Sequence, residues 1–586
     1  MTMAMAPANT RQLLDRLAST LIWTVVGLSA VACAALLRPP LDISDVFFLR
    51  QDAMVALAIA VFLVLLARFS AGPFRQNLPA PASPRALVVW AALACAAVAL
   101  VGEFVVYRGY ALSLDEFLAK FDALIFARGR LFGELPAAWA PYRDALQPIF
   151  RLDTPSANHW SSSYLPMNAV IRAVASRVGL DALVGPAWAA VAVLATWGVG
   201  RRIWPERPQT ALCAALLVAT SSQVAVNAMT AYAMPAHLAL NMVWLLCFLR
   251  GGRLGHAAAL GIGFVAAGLH QVAFHPLFVA PFVLQLWLDR RWRLALLYTA
   301  AYAGIGLFWI SYWNIAFAVA GFGAPQDAVG AGGFLARVQA IVVQRQIDDA
   351  FTMAKNLIRF IAWQNPLTTP LFVLSAVGAL NAKGHLRALL FGVGLTLAVV
   401  IVVLPFQGHG WGYRYLHGLI GSICLLAAWT WTRLTDALAE GEQPRAKTAF
   451  AMAAVVSVLV LAPVHAWQAS AFLSPYARAS AAIAKTDADV VLVDDRGIWY
   501  GQDLVRNDPF VRNRPVVLWL GGLSEPQVRE VCGRGGVVLF DVRDAEHVGV
   551  RRIPTVGRAT SRARMVVDQL ACGKRAGNRN SAGDYR

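Results

Sequence analysis

Apolar runs alternate with short basic or polar stretches along most of this chain, and the runs are long enough to read as membrane helices. A bilayer crossing takes about 20 apolar residues. Thirteen runs approach that length: 17–37, 53–67, 87–107, 182–199, 210–226, 231–249, 257–269, 276–288, 295–316, 357–380, 389–405, 416–431 and 450–464. Arginines stand where many of them end, as at Arg68, Arg75 and Arg85, Arg201 and Arg202, Arg250 and Arg253, Arg290 and Arg291, and Arg433. Basic residues in short loops stay on the cytoplasmic side. Placing the N-terminus there, with Arg11 and Arg16, leaves every inner loop short and basic and puts the long loops, 108–177 and 319–355, outside. The first run is as long as a full span, lacks a small-residue cleavage site and ends in Arg38-Pro39-Pro40, so a retained helix is expected rather than a signal peptide.

Two regions break the apolar pattern. The loop opening after Tyr107 contains Tyr110-Ala-Leu-Ser113-Leu-Asp115-Glu116-Phe117, and Phe117, Phe121, Leu124 and Ile125 follow at helical spacing. That spacing predicts an amphipathic helix lying in the membrane interface, apolar side down. From about Trp467 the composition becomes that of a soluble module. The Val-rich runs 490–494, 515–519 and 537–541 read as buried strands, with a Ser524-capped helix between the last two. The expected fold is therefore an α-helical polytopic membrane protein of about thirteen spans with a small C-terminal α/β domain outside. Its expected parts are two N-terminal helices in 1–85, a core over 86–466, the α/β domain over 467–572 and a disordered Gly/Asn/Arg tail over 573–586.

Composition agrees. Of 586 residues, 58% are hydrophobic and 14% charged, too little polar surface to cover a soluble globule. The net charge of +18 is spread along the chain at span ends, which argues for topology and against nucleic acid. Five cysteines lie in apolar runs. Cys532 and Cys572 lie in the C-terminal region, on the oxidising side, and a disulfide between them is expected.

The residues that could carry chemistry each have a structural alternative. Ser113 and Glu116 fit a capping box with Asp115 at the positive end of the helix dipole; equally, Asp115 and Glu116 at the membrane boundary fit catalytic carboxylates meeting a lipid-linked substrate. Arg414, between Tyr413 and Tyr415 in the Gly-rich 408–415 turn, offers a planar fork suited to phosphate oxygens or a snorkelling helix-end cation. His270 and His275 break a short helix pair, as donor-phosphate residues or as kink-satisfying ones. His159 and Asp153 fit a second acid, ligands of a divalent metal or solvated loop residues, while His159, Tyr164, Tyr413 and Arg345 are candidate substrate contacts. No metal-type Cys/His spacing and no cofactor motif is present.

An acidic pair just after a membrane helix, an amphipathic helix ending Ala127-Arg-Gly129-Arg-Leu131, the Tyr164-Leu165-Pro166 element and a span ending Gly200-Arg-Arg-Ile together resemble the GT-C glycosyltransferases. The protein O-mannosyltransferase and lipid A aminoarabinose transferase group is the most similar in order and spacing, over about 87–292. The resemblance implies an inverting transferase with a polyprenyl-phosphate sugar donor, in which the first acidic residue of the loop, here Asp115, is the catalytic base. Two features depart from it: two extra spans precede the loop, and a single Pro166 stands where the group has a tandem pair.

The sequence reading is thus a glycosyltransferase of the bacterial inner membrane. It would move a sugar from a polyprenyl-phosphate donor to a glycan, lipid or protein acceptor on the exterior face. A lipid or sugar transporter would show internal repeats and charges within its spans, and a non-enzymatic envelope assembly factor would leave the carboxylate loop without a role.

Overall fold

The computed structural model describes residues 9–36, 43–69, 83–323, 339, 343, 348–382, 384–404, 406–553 and 561–572. Arg345 and the 573–586 tail lie outside them. Contacts divide the chain into a helical unit, 1–106, 182–312 and 328–469, and an α/β unit, 107–181, 313–327 and 470–586. This grouping differs from the sequence boundaries: the 108–177 loop belongs with the C-terminal module.

In the helical unit, a helix or a pair of helices lies along each predicted run among the described residues. Among the described residues seven are long and apolar enough to cross a membrane: Thr10–Ala34, Ile43–Phe69, Pro84–Val105, Asp181–Ile203, Trp292–Val319, His385–Val403 and Gln443–Ala484. Shorter apolar helices are Pro208–Ala219, Met234–Arg250, Phe274–Leu288 and Thr368–Asn381. This is a multi-pass membrane protein. The Val184–Ile203 helix packs against Pro84–Val105 and Met234–Arg250, and Thr10–Ala35 against Ala53–Phe69 and Asp348–Ala362.

Two predicted spans are interrupted, and the interruptions answer each other. Run 357–380 divides into Asp348–Ala362 and Thr368–Asn381, because Asn365 precedes Pro366 and is pushed out of the helical region. Run 210–226 divides at Thr220 and Ser221 into Pro208–Ala219 and Ser222–Asn227. The freed groups pair across the two breaks. Gln223 donates its backbone N–H to Trp363 O (3.1 Å), Ser221 Oγ donates to Gln364 Oε1 (2.9 Å) and Asn365 Nδ2 to Thr220 Oγ1 (3.0 Å). Irregular backbone among membrane helices survives when its polar groups find such partners.

The α/β unit has a single core built from both of its main segments. Its strands β3 (Val490–Val493), β4 (Val516–Trp519) and β5 (Val537–Phe540) form a parallel sheet in the order β4-β3-β5, with Val490 opposite both Val516 and Val537. Near-continuous Val and Leu suits strands covered on both faces. Earlier in the chain β1 (Gly133–Glu134) pairs antiparallel with β2 (His159–Trp160). The predicted interfacial helix is Leu114–Phe126, but its apolar side does not face lipid. Leu118, Phe121 and Ile125 are buried with Trp160, Val490, Leu492, Val516 and Leu518, and of the four predicted residues Leu124 is the exposed one. Local periodicity identified the stripe but not the partner, a sheet more than 350 residues away in the chain. The Glu525–Gly533 helix carries the expected Ser524 cap, with Gln527 completing a capping box. Cys532 at its end is disulfide-bonded to Cys572, their Cα atoms 5.6 Å apart.

Candidate active site

The carboxylate pair sits in the first turn of the Leu114–Phe126 helix, and its two members do different things. Ser113 is the N-cap and accepts the Glu116 N–H (3.2 Å). Glu116 turns inward: it is 2% exposed, and its Oε2 accepts the Leu112 N–H at 2.8 Å, one residue before the cap. This is the capping arrangement displaced by one position, and it gives Glu116 a backbone-holding role. Asp115 is half-buried, at the positive end of the helix dipole.

The C-terminal module completes this helix end. Asp503 Oδ1 accepts the Leu114 N–H (2.8 Å), satisfying a donor that an isolated helix leaves open. Arg506 donates to Leu112 O (3.3 Å) and lies over the Tyr110 ring, 3.9 Å from its centroid. Burial raises the Tyr110 phenol well above its ordinary value, against the opposing pull of Arg506. Neither Asp503 nor Arg506 was identifiable in the sequence, since no local pattern links them to a helix start 389 residues earlier.

Asp122, also missed, anchors the same helix to the 159–164 segment. It is 2% exposed and accepts from Ser161 Oγ (3.1 Å), Ser162 N (3.1 Å) and Ser162 Oγ. Burial pushes its carboxyl up to about 6, outweighing the Ser162 and Ser161 hydrogen bonds that pull it down. Folding therefore favours the protonated form. Its contribution is full below the unfolded value near 4 and is lost as pH rises through about 6, a change of about 3 kcal/mol. Asp122→Asn should abolish that slope, and melting temperatures of the two proteins from pH 4 to 7 measure it. Parallel curves would contradict it.

The other loop candidates are dispersed. Asp153 pairs with Arg151 (3.0 Å), which also holds Asp144 (2.5 Å). His159 Nδ1 bonds Ser156 Oγ (2.8 Å), and its ring meets Phe322 at 4.8 Å. Tyr164 packs beside Phe150 at the edge of the α/β core. Among the described residues no group of three or more His, Cys, Asp or Glu side chains comes together as metal ligands would. Asp153 and His159 do not come together in a metal site among the described residues.

In the helical unit, Arg414 begins the Arg414–Leu419 3-10 turn and is buried, its guanidinium 4.6 Å from the Tyr232 ring centroid, so it does not snorkel. It lines a small cavity of about 20 Å³ together with His237, Asn241, Phe274, Thr396 and Tyr415. That is room for about one water. His237 was not among the sequence candidates, being one histidine in an apolar run; it is 4% exposed, and neither ring nitrogen has a hydrogen-bond partner among the described residues. His275 is a satisfied core histidine, with Nδ1 on Asn241 Oδ1 (2.7 Å) and Nε2 on Tyr302 Oη (2.9 Å). It orients Asn241 rather than lining the cavity. His270 is half-buried at the end of the same helix break. Tyr413 is fully buried, with its carbonyl accepting from Gln223 Nε2 (2.8 Å).

Four further charges are buried in this unit. Lys355 Nζ meets Asp45 (2.7 Å), Arg359 Nε meets Asp52 (3.7 Å), and Trp363 Nε1 also donates to Asp52 (3.0 Å). The sequence reading began the second span at Ala53, just after the polar Arg50, Gln51 and Asp52. The helix instead starts at Ile43 and includes a π segment at Phe48–Asp52, since partners on the Asp348–Ala362 helix neutralise its acids.

No protein-family model matches this chain, and no curated protein matches it. Among solved structures, it is similar to the archaeal oligosaccharyltransferase AglB from Archaeoglobus fulgidus, in complex with an inhibitory peptide and a dolichol-phosphate. The TM-score is 0.39 and the identity 12%, over 72% of this chain and 64% of that one. The chain thus spans less than two thirds of that structure's length.

Proposed function

We propose that the protein is an integral-membrane glycosyltransferase that moves a sugar from a polyprenyl-phosphate donor to a hydroxyl of a glycan, lipid or protein acceptor, with inversion. Asp115 is the general base. The acceptor oxygen attacks the anomeric carbon, its proton passes to the Asp115 carboxylate, and the sugar–oxygen bond breaks with its electron pair leaving on the phosphate. One base suffices because no water is activated. Arg414 steadies the charge that develops on the leaving phosphate. In this reading the α/β unit lies on the exterior face of a bacterial inner membrane and the N-terminus in the cytoplasm.

The observation that carries the reading is the split within the acidic pair. Glu116 is turned inward onto the Leu112 backbone, whereas Asp115 is half-buried in the first turn of the helix. The resemblance of the 87–292 region to GT-C enzymes supports the same assignment. Mass spectrometry of surface glycans and lipid A, with and without the gene, tests it: a sugar should vanish from one class, and unchanged profiles would overturn it.

Arg414→Ala should weaken use of the donor lipid more than it disturbs insertion. A lost charge-assisted contact to phosphate raises the donor requirement about 10- to 100-fold. Donor titration measures it, and an unchanged donor response would remove Arg414 from the reaction.

A carrier of lipid or sugar is the second reading, favoured by the buried charges Asp45, Asp52, Lys355 and Arg359, since ionisable groups within membrane helices mark transport pathways in many carriers. Reconstitution in liposomes separates the two: a carrier moves its lipid without forming a new glycosidic bond.

A further inference from the structure

The turn that precedes Arg414 has a row of backbone carbonyls, each held by a side chain. Gly410 O accepts from Arg359 Nη2 (2.5 Å), Trp411 O from Asn227 Nδ2 (2.9 Å), Gly412 O from Gln407 Nε2 (3.0 Å) and Tyr413 O from Gln223 Nε2 (2.8 Å). Gln407 Oε1 then accepts the Arg414 N–H itself (2.7 Å). The backbone bends through positive φ at Gly410 (123°) and Gly412 (61°), and a β-carbon at Gly412 would collide with Gln223. Irregular backbone buried among membrane helices needs such partners.

Three of these clamps are neutral amides from nearby helix ends or from the turn itself. Arg359 is the charged one, and it has an anchor of its own. Its guanidinium lies over the Phe47 ring, 4.3 Å from the centroid, and pairs with Asp52 at 3.7 Å. Asp52 is 1% exposed and is also fixed by the Trp363 N–H. Trp363 stacks on Trp411 of the turn (5.8 Å), and Phe47 meets Trp411 edge-on (6.0 Å). One further rung, Asp45 to Lys355, joins the same two helices.

We infer that Asp52 is a positioning residue: it holds Arg359 against the Gly410 carbonyl and thereby fixes the 407–414 turn that presents Arg414. The second N-terminal span, which the GT-C resemblance does not account for, thus serves the site instead of merely adding membrane contact. The inference rests on reading Arg414 as the donor-phosphate residue. A buried Arg–carboxylate pair that held only its own helices would be replaceable by any pair of opposite charges; this one is not, because its cation must also donate to a carbonyl.

Hydrogen exchange read by mass spectrometry on the full-length protein in lipid nanodiscs, together with donor kinetics, tests it. In Asp52→Asn, which keeps an acceptor for Trp363, the peptide covering 406–415 should exchange about 10- to 100-fold faster. The donor KM should rise about tenfold with a smaller change in kcat. Exchanging the charges, Asp52→Arg with Arg359→Asp, restores opposite signs but leaves no donor for Gly410 O, so exchange in 406–415 should stay fast. Wild-type exchange in Asp52→Asn, or slow exchange restored by the swap, overturns the inference. Fast exchange with an unchanged donor KM leaves the clamp standing and overturns the donor role of Arg414. If the swapped protein does not fold, Asp52→Asn decides alone.

Discussion

Replacing Asp115 by asparagine is expected to lower sugar transfer on the order of 100- to 10,000-fold, the usual loss when a general base is removed, with the protein still folded and inserted. The structural half of that expectation follows from the helix start. Ser113, Glu116 and Asp503 satisfy the first turn, through the Glu116, Leu112 and Leu114 N–H groups. An amide at 115 keeps nearly the same volume and disturbs none of these bonds. Glu116→Gln is the matching control. Its Oε1 can still accept from Leu112 N, so transfer should fall far less than in Asp115→Asn. Purified Asp115→Asn transferring sugar at near wild-type rate would end the assignment, and a Glu116→Gln defect as severe would move the base to the neighbouring position.

The helices were legible because apolar runs bounded by basic residues report directly on the membrane, whatever the tertiary arrangement. Their interruptions were harder. Asn365-Pro366 marks one break locally, whereas the break at Ser221 is stabilised by Gln364 from the facing break and has no comparable local signal. The site shows the same division. Ser113, Asp115 and Glu116 formed a readable motif, and its capping function is visible in both sequence and structure. What the sequence could not supply was direction. It placed Phe121 and Ile125 towards lipid, because a helical stripe is apolar in the same way whether a bilayer or a β-sheet covers it. It also left Asp52 just outside the second span, whereas Asp52 and Arg359 neutralise one another inside the unit. Long-range pairs of this kind leave no trace at any spacing along one chain.

Trp160→Ala should be the most destabilising single change in the α/β unit, because this side chain joins three separate stretches of chain. It is 1% exposed in the shared core, meets Phe121 of the carboxylate-bearing helix edge-on at 5.1 Å, and lies opposite Gly133 across the β1–β2 pair. Its indole N–H donates to Pro509 O at 2.7 Å, tying the loop to the C-terminal module. Truncation removes the ring contacts at about 3–5 kcal/mol. It also leaves the Pro509 carbonyl without its donor in a buried place, about 1–3 kcal/mol for such a group when nothing replaces the bond. These terms overlap because water entering the cavity could satisfy the carbonyl, so the total stays below their sum. Trp160→Phe isolates the second term, since most of the ring remains and the N–H is lost. Limited proteolysis on heating, followed at cleavage sites within 470–572, reports on this unit rather than on the membrane helices. The expected order of resistance is wild type, then Trp160→Phe, then Trp160→Ala. Cleavage of Trp160→Ala at the wild-type temperature would mean that the loop and the module do not share a core. Because Trp160 carries the helix that bears Asp115, transfer should be lost at the temperature at which this unit becomes cleavable, and activity persisting beyond it would separate the helix start from the core beneath it.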